Sequence, residues 1–317
     1  MAGLECKSSF NDLPRITSLT NHPPAPDRSG RERPRGRRID MPSRKSDVTS
    51  RPSSKSSLHS DKIYNLVPSV KTESDWTFAV GLRAGVLRRR AELPATLDLR
   101  KSWWKISNQG QTGSCVGWAT ADGVLRYHLV TAGKLPQNNR LSVRFVWMAS
   151  KETDEFTNRP TSFVEASGTS LKTAMDIVRK YGCPLDKELP FNIDTLMYTS
   201  DEDLLYVSAS TRKAANYFNL GKDVSQWKQW LATNGPILAG VIVDLTWVNA
   251  SKTKGRLDTF NPNGTLGGHA IAIVGYTADR FIIRNSWGTE WGDKGFAYAS
   301  HAYIQSAFFE ESYGITI

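Results

Sequence analysis

Hydrophobic positions fall into two regimes along the chain. In "VGWATADGVLRYHLVTAG" the apolar residues Val116, Ala119, Val124, Leu125 and Leu129 recur at helical spacing, and Gly133 supplies a stop. "SLKTAMDIVRKYG" predicts a second helix, with Ser170 as its cap and Gly182 at its end. "DVSQWKQWLATNG" predicts a third. Beyond it, "PILAGVIV", "HAIAIVGY" and "RFIIRNSW" are short, apolar and β-branched, separated by Gly, Asn and Asp, and read as strands. The folded part is therefore helical in its first half and mainly strand in its second. Such a chain makes an α+β protein of two packed lobes with a cleft between them.

Before the first helix the pattern is absent. Residues 1–61 are rich in Ser, Pro and Arg, poor in aromatics and without apolar period, so they are expected to be disordered. Residues 62–92 regain apolar residues and read as a connector or pro-segment able to pack on the domain. The cluster Arg88–Arg90 is expected to be exposed, and is a candidate cleavage point between tail and folded region. The folded domain is placed at 93–317, with a helical lobe over about 106–205 and a β lobe over about 206–317.

Charge follows this division. The net charge of +10 is carried mostly by residues 1–92, with 18 Lys and Arg against 10 Asp and Glu; residues 93–317 hold 23 against 21. The basic character thus belongs to the tail. "RERPRGRR" could contact nucleic acid or an acidic surface, although a solvated arm is the simpler reading. Hydrophobic residues make up 39% of the chain, which suits a soluble domain of monomeric type carrying a polar appendage. No run approaches the roughly 18 apolar residues of a membrane span. The N-terminus lacks the apolar core of a Sec-type signal. A cytoplasmic protein, or one exported by a leaderless route, is the expectation.

Three cysteines, Cys6, Cys115 and Cys183, make neither a disulfide framework nor a metal hook. A Cys115–Cys183 bridge is the one pairing open within the folded region, and no cofactor is implied. Cys115 stands where the first helix begins, after Gly110, Gly113 and Ser114. A helix N-terminus favours an anion, so the placement predicts an acidic, reachable thiol. A thiolate needs a base that can return the proton. Of five histidines, His22 and His59 lie in the tail. His128 is 13 residues along the same helix, about 20 Å away at ~1.5 Å per residue, and His301 has no obvious orienting partner. His269 opens an apolar strand after two glycines, and Asn285 ends another, where its side chain could orient the imidazole.

Three stretches, "NQGQTGSCVGWA", "GGHAIAIVGY" and "NSWGTEWGDKGFAYA", resemble the papain-like cysteine peptidases, in a disulfide-poor form. The resemblance runs from "LPATLDLR", at Leu93, to the C-terminus. It implies a papain-like fold, with a helical left lobe, an antiparallel β-barrel-like right lobe and the active site in the cleft. It also implies a peptide or protein substrate. By position, Cys115 would be the nucleophile, His269 the base and then acid, and Asn285 the residue that orients it. Gln109 would donate to the oxyanion together with the Cys115 amide, and Trp287 would shield the His–Asn bond. Gly168 would mark the cleft wall, to within one residue, and Ala270 and Gly240 would line a substrate pocket. Three features depart from the family: Val116 stands where an aromatic usually follows the nucleophile, Thr112 replaces a cysteine, and residues 1–92 lack the helical propeptide signature. The implied activity is endopeptidase; a transamidase or ligase using the same acyl-enzyme, or an inactive relative binding through its tail, are the alternatives.

Overall fold

The computed structural model describes residues 62–153, 168–192 and 201–317, and the tail of residues 1–61 and Cys6 lie outside them. The described chain opens with an extended segment, residues 62–70, called the strap below. A 3₁₀ turn (Thr72–Ser74) leads to helix α1 (Phe78–Arg83), capped by the Thr77 hydroxyl, which accepts from the Val80 amide. After β1 (Leu97–Asp98) the helix beginning at Cys115 is continuous but not uniform. It starts as α2 (Cys115–Gly117), widens to a π-helical stretch (Trp118–Leu125) and closes as α3 (Arg126–Thr131). The predicted stop holds: Gly133 has φ +70°, a conformation glycine adopts without a Cβ penalty.

Helices α4 (Val143–Thr153), α5 (Leu171–Lys180) and α6 (Glu202–Ser210) complete the first half. The Ser170 hydroxyl caps α5 by accepting from the Thr173 amide, as its sequence predicts. Then follow β2 (Asn216–Asn219), α7 (Val224–Thr233), β3 (Ile237–Asp244), α8 (Leu245–Val248) and β4 (Arg256–Leu257). The chain ends with β5 (Thr265–Tyr276), β6 (Arg280–Arg284), β7 (Phe296–Ser300), α9 (His301–Ala307) and β8 (Phe308–Thr316). The strands pair in the order β2-β8-β3-β5-β6-β7-β4, with β1 on β5. The pairing is antiparallel except for β4 with β7, which is parallel, so the sheet is mixed rather than wholly antiparallel. The fold is α+β and two-lobed.

Side-chain alternation along the strands explains how one sheet serves two cores. On β5, Ala270, Ala272 and Val274 face the helical core, while Ile271 and Ile273 face the second core with Trp227, Phe281 and Tyr303. The small residues are on the helical side for a reason. The π-helical stretch lies so near that a Cβ on Gly123 would be 2.9 Å from the Ala272 Cβ. This close approach sets the Cys115 helix directly on the strand that carries His269. No helix among the described residues is long and apolar enough to cross a membrane.

Candidate active site

The register of β3 and β5 places Gly240 opposite Ala270 and Val241 opposite His269. Asn285 follows the last residue of β6. Its Oδ1 accepts from His269 Nε2 at 2.8 Å and from the Ser286 amide at 2.8 Å, so the carbonyl oxygen is held from two sides. With Nε2 donating, Nδ1 is the nitrogen left to take a proton, and no group among the described residues hydrogen-bonds to it. The Trp287 ring lies against the imidazole, centroids 4.8 Å apart, and Trp247 meets it edge-on at 5.8 Å. Both tryptophans are buried.

The loop before Cys115 is sewn to the segment after Asn285. The Gln109 amide donates to Ser286 O at 2.7 Å, and the Gly288 amide to Ser107 O at 2.9 Å. The Gln109 side chain is fixed at both ends, Oε1 accepting from Ser286 Oγ at 2.7 Å and Nε2 donating to Thr112 O at 2.9 Å. Nε2 carries a second hydrogen that this bond does not use. Motifs 177 residues apart thereby meet at one point. Cys115 and Cys183 are both free thiols, so the bridge between them is not made.

The thiol itself differs from the expectation. Cys115 is at a helix start, but it is fully buried rather than reachable, and its pKa is pushed up to about 11 rather than lowered. Burial is the dominant cause; contacts with the amides of Ala270, Val116 and Cys115 itself pull the other way without overcoming it. His269 is shifted in the complementary sense, to about 4, by burial first and then by the nearby Lys62 charge, while the Asn285 bond opposes both. The pair is therefore thiol and neutral imidazole at neutral pH.

The strap packs over the elements around the pair. The Leu66 amide donates to Gly268 O at 3.1 Å and the Val67 amide to Thr169 O at 3.3 Å. Tyr64 meets the Trp287 ring edge-on at 5.8 Å. Leu66, 5% exposed, lies over Gly240, where a Cβ would be 2.9 Å from its Cδ2. Asn65 presses on both Gly113 and Gly168, so a side chain on either glycine would collide with it. Lys62 Nζ donates to Asn108 Oδ1 at 3.2 Å and to Gly110 O at 3.1 Å, beside the helix start. Of the residues singled out in the sequence, Ala270 faces the helical core, while Gly168 and Gly240 lie in one groove. The strap fills it. Residues 62–67 were legible in the sequence only as a possible cover; no motif marks Tyr64, Asn65 or Leu66 as its contacts. Among the described residues no group of three or more His, Cys, Asp or Glu is arranged to hold a metal ion.

A family profile described as papain family cysteine protease matches residues 93–313. This chain belongs to the papain family. Among curated relatives it is 26% identical over 212 residues to a peptidase C1-like protein of Acanthamoeba polyphaga mimivirus, covering 62% of this chain and 64% of that one. It is 29% identical over 219 residues to cathepsin K of Gallus gallus, covering 64% and 58% respectively. The match thus spans less than two thirds of the length of either relative. Among solved structures it superposes on Xylellain, a cysteine protease from Xylella fastidiosa, with a TM-score of 0.68 at 22% identity, covering 81% of this chain and 96% of that one. Within the papain family this member carries Val116 after the cysteine and packs its aromatic, Trp118, two residues later, edge-on to Phe191 at 5.0 Å.

Proposed function

We propose that this chain is a cysteine endopeptidase that cleaves peptide bonds through a covalent acyl-enzyme. The observation that carries the reading is the imidazole of His269. It is held by Asn285 through Nε2, roofed by Trp287, and keeps Nδ1 for a proton, on the strand against which the helix starting at Cys115 packs. Nδ1 takes the thiol proton, the thiolate attacks the substrate carbonyl, and the oxyanion falls to the Cys115 amide and the second hydrogen of Gln109 Nε2. The imidazolium returns its proton to the leaving amine, and water, deprotonated by the same imidazole, releases the acid. Donors of the Gln109 kind are typically worth about 3 kcal/mol of barrier.

The form with the strap seated is latent. Substrate would have to occupy the space of Tyr64, Asn65 and Leu66, and the thiol and imidazole are both neutral beneath it. Activity begins when the strap leaves the groove, by displacement or by cleavage at the exposed Arg88–Arg90 stretch. The experiment is the replacement Cys115→Ala, assayed for peptide hydrolysis and for labelling by a thiol-directed epoxide. Both are expected to vanish while the fold is retained. Turnover equal to that of the unaltered chain ends the proposal.

A further inference from the structure

One buried carboxylate lies between the segments that carry Cys115, Asn285 and Gln109. Asp122 lies seven residues after Cys115 on the π-helical stretch, with its side chain 5% exposed. Its Oδ1 accepts from Arg126 Nη1 at 2.9 Å and lies 3.7 Å from Arg140 Nη2, and its Oδ2 accepts from Arg284 Nη2. Arg284 is the residue immediately before Asn285. Its guanidinium also donates to Trp104 O at 3.1 Å and Lys105 O at 2.8 Å, and lies 4.7 Å over the Trp104 ring. Arg140 donates onward to Ser107 Oγ, two residues before Gln109. Arg126 secures the loop leading to Arg140 through Asn139 O at 3.0 Å and Gln137 O at 2.9 Å. Three guanidinium groups thus converge on one acid between the nucleophile helix, the strand end bearing Asn285 and the loop bearing Gln109.

Such a cluster is poorly explained by stability. Burying these charges has a desolvation cost that ion pairing often fails to recover, and apolar replacements are frequently neutral or better. Its geometry serves placement instead. Burial pushes the Asp122 carboxyl up, but the three arginines together outweigh it, so the group is a carboxylate throughout the neutral range. The Arg284 guanidinium forks between the Asp122 carboxylate and the Trp104 and Lys105 carbonyls, which fixes its distance and plane together. Reacting groups tolerate little displacement: an error of about 1 Å can cost about 100-fold in rate.

We propose that Asp122 is a positioning residue for the peptidase reaction, setting the Asn285 end of β6 against the Cys115 helix through Arg284, and the Gln109 loop through Arg140. The proposal rests on the reading that Cys115, His269 and Asn285 are the reacting set. It adds to that reading the device that aligns the two lobes.

The test uses the full-length chain, with turnover normalised to the sites titrated by a thiol-directed epoxide. Asp122→Asn is expected to lower kcat by about 10- to 100-fold while KM stays within about twofold. The pH profile of Cys115 alkylation by iodoacetamide should lose the limb that reports coupling to the imidazole. A kcat per titrated site equal to that of the unaltered chain, whatever the melting temperature, overturns the proposal. Should Asp122→Asn not fold, Arg284→Lys keeps the charge and removes the fork. The same split between kcat and KM is then expected, and an unchanged kcat overturns the proposal. Cys115→Ala, run alongside, separates the two ideas. If it retains turnover, the reading of the reacting set fails; if it is inert and the Asp122 and Arg284 variants are normal per site, only the positioning role fails.

Discussion

A thiol enclosed on every side titrates late, and the neutrality of Cys115 and His269 follows from what encloses them. Remove the cover and both shifts relax: the sulfur falls from about 11 toward the ordinary thiol range, and the ring rises from about 4 toward 6.5. The helix N-terminus then acts on the sulfur without competition from burial. Leu66→Asp, which places a charge over Gly240, is therefore expected to move the midpoint of Cys115 alkylation to lower pH. Alkylation rates across the pH range measure this, and superimposable profiles would contradict it. Asn285→Ala tests the other side of the ring. It removes the 2.8 Å bond and leaves Nε2 buried without an acceptor. A fall of about 100-fold or more in kcat is expected, with about 1–3 kcal/mol of stability lost, read from steady-state kinetics and denaturant titration.

The strap is the element on which the proposed activity turns. It is fastened beyond the cleft as well as within it. The Ser69 amide and hydroxyl both donate to Glu311 Oε1, at 3.0 and 2.7 Å. Lys172 bonds Ser69 Oγ through its own amide at 3.0 Å and pairs with Asp75 at 2.6 Å, while Asp75 also accepts from Tyr313 OH at 2.8 Å. Leu66 alone, if fully buried, is worth about 1.5–3 kcal/mol, enough to shift the seated and released populations by roughly 10- to 100-fold. Further along, Arg88, Arg89 and Arg90 are exposed, and the Arg90 backbone is tied to the Gln229 side chain at 3.1 and 3.0 Å. A segment both exposed and held near its end is accessible to a protease while the rest stays folded. Brief trypsin treatment is accordingly expected to cut first at residues 88–90 and to raise activity per mole. N-terminal sequencing of the activated material checks this, and an intact Met1 in the fully active form would contradict it.

Over the whole molecule, two buried histidines couple stability to acid. His128, 7% exposed, and His269, fully buried, are both held to about 4 by burial. Above about pH 6.5 neither folded nor unfolded chain protonates them, and stability is complete. Between 6.5 and 4 the unfolded chain binds protons that the native chain refuses, so stability falls as pH falls, by about 3 kcal/mol per ring once pH reaches 4. Urea midpoints should decline through that window, and His128→Gln should remove about half of the decline. A flat midpoint between pH 6.5 and 4 in the unaltered chain would contradict this. The sequence by itself determined what is local. Helix periods, the cap at Ser170, stops at Gly133 and Gly182, and the strands carrying His269 and Asn285 are all set by neighbours within a few residues. The candidate reacting side chains were legible for the same reason, since each has a short motif around it. Strand β8 was harder to read because Glu311 and Ser312 are buried within it, satisfied by distant partners such as Ser69 and Trp227. Tertiary structure alone decided the state of Cys115, the seating of the strap and the convergence of three arginines on Asp122. The strap fits because Gly113, Gly168, Gly240, Gly267 and Gly268 together leave a channel shaped to Tyr64, Asn65 and Leu66. No local motif marks those glycines as a set, and only their juxtaposition in space makes them a groove.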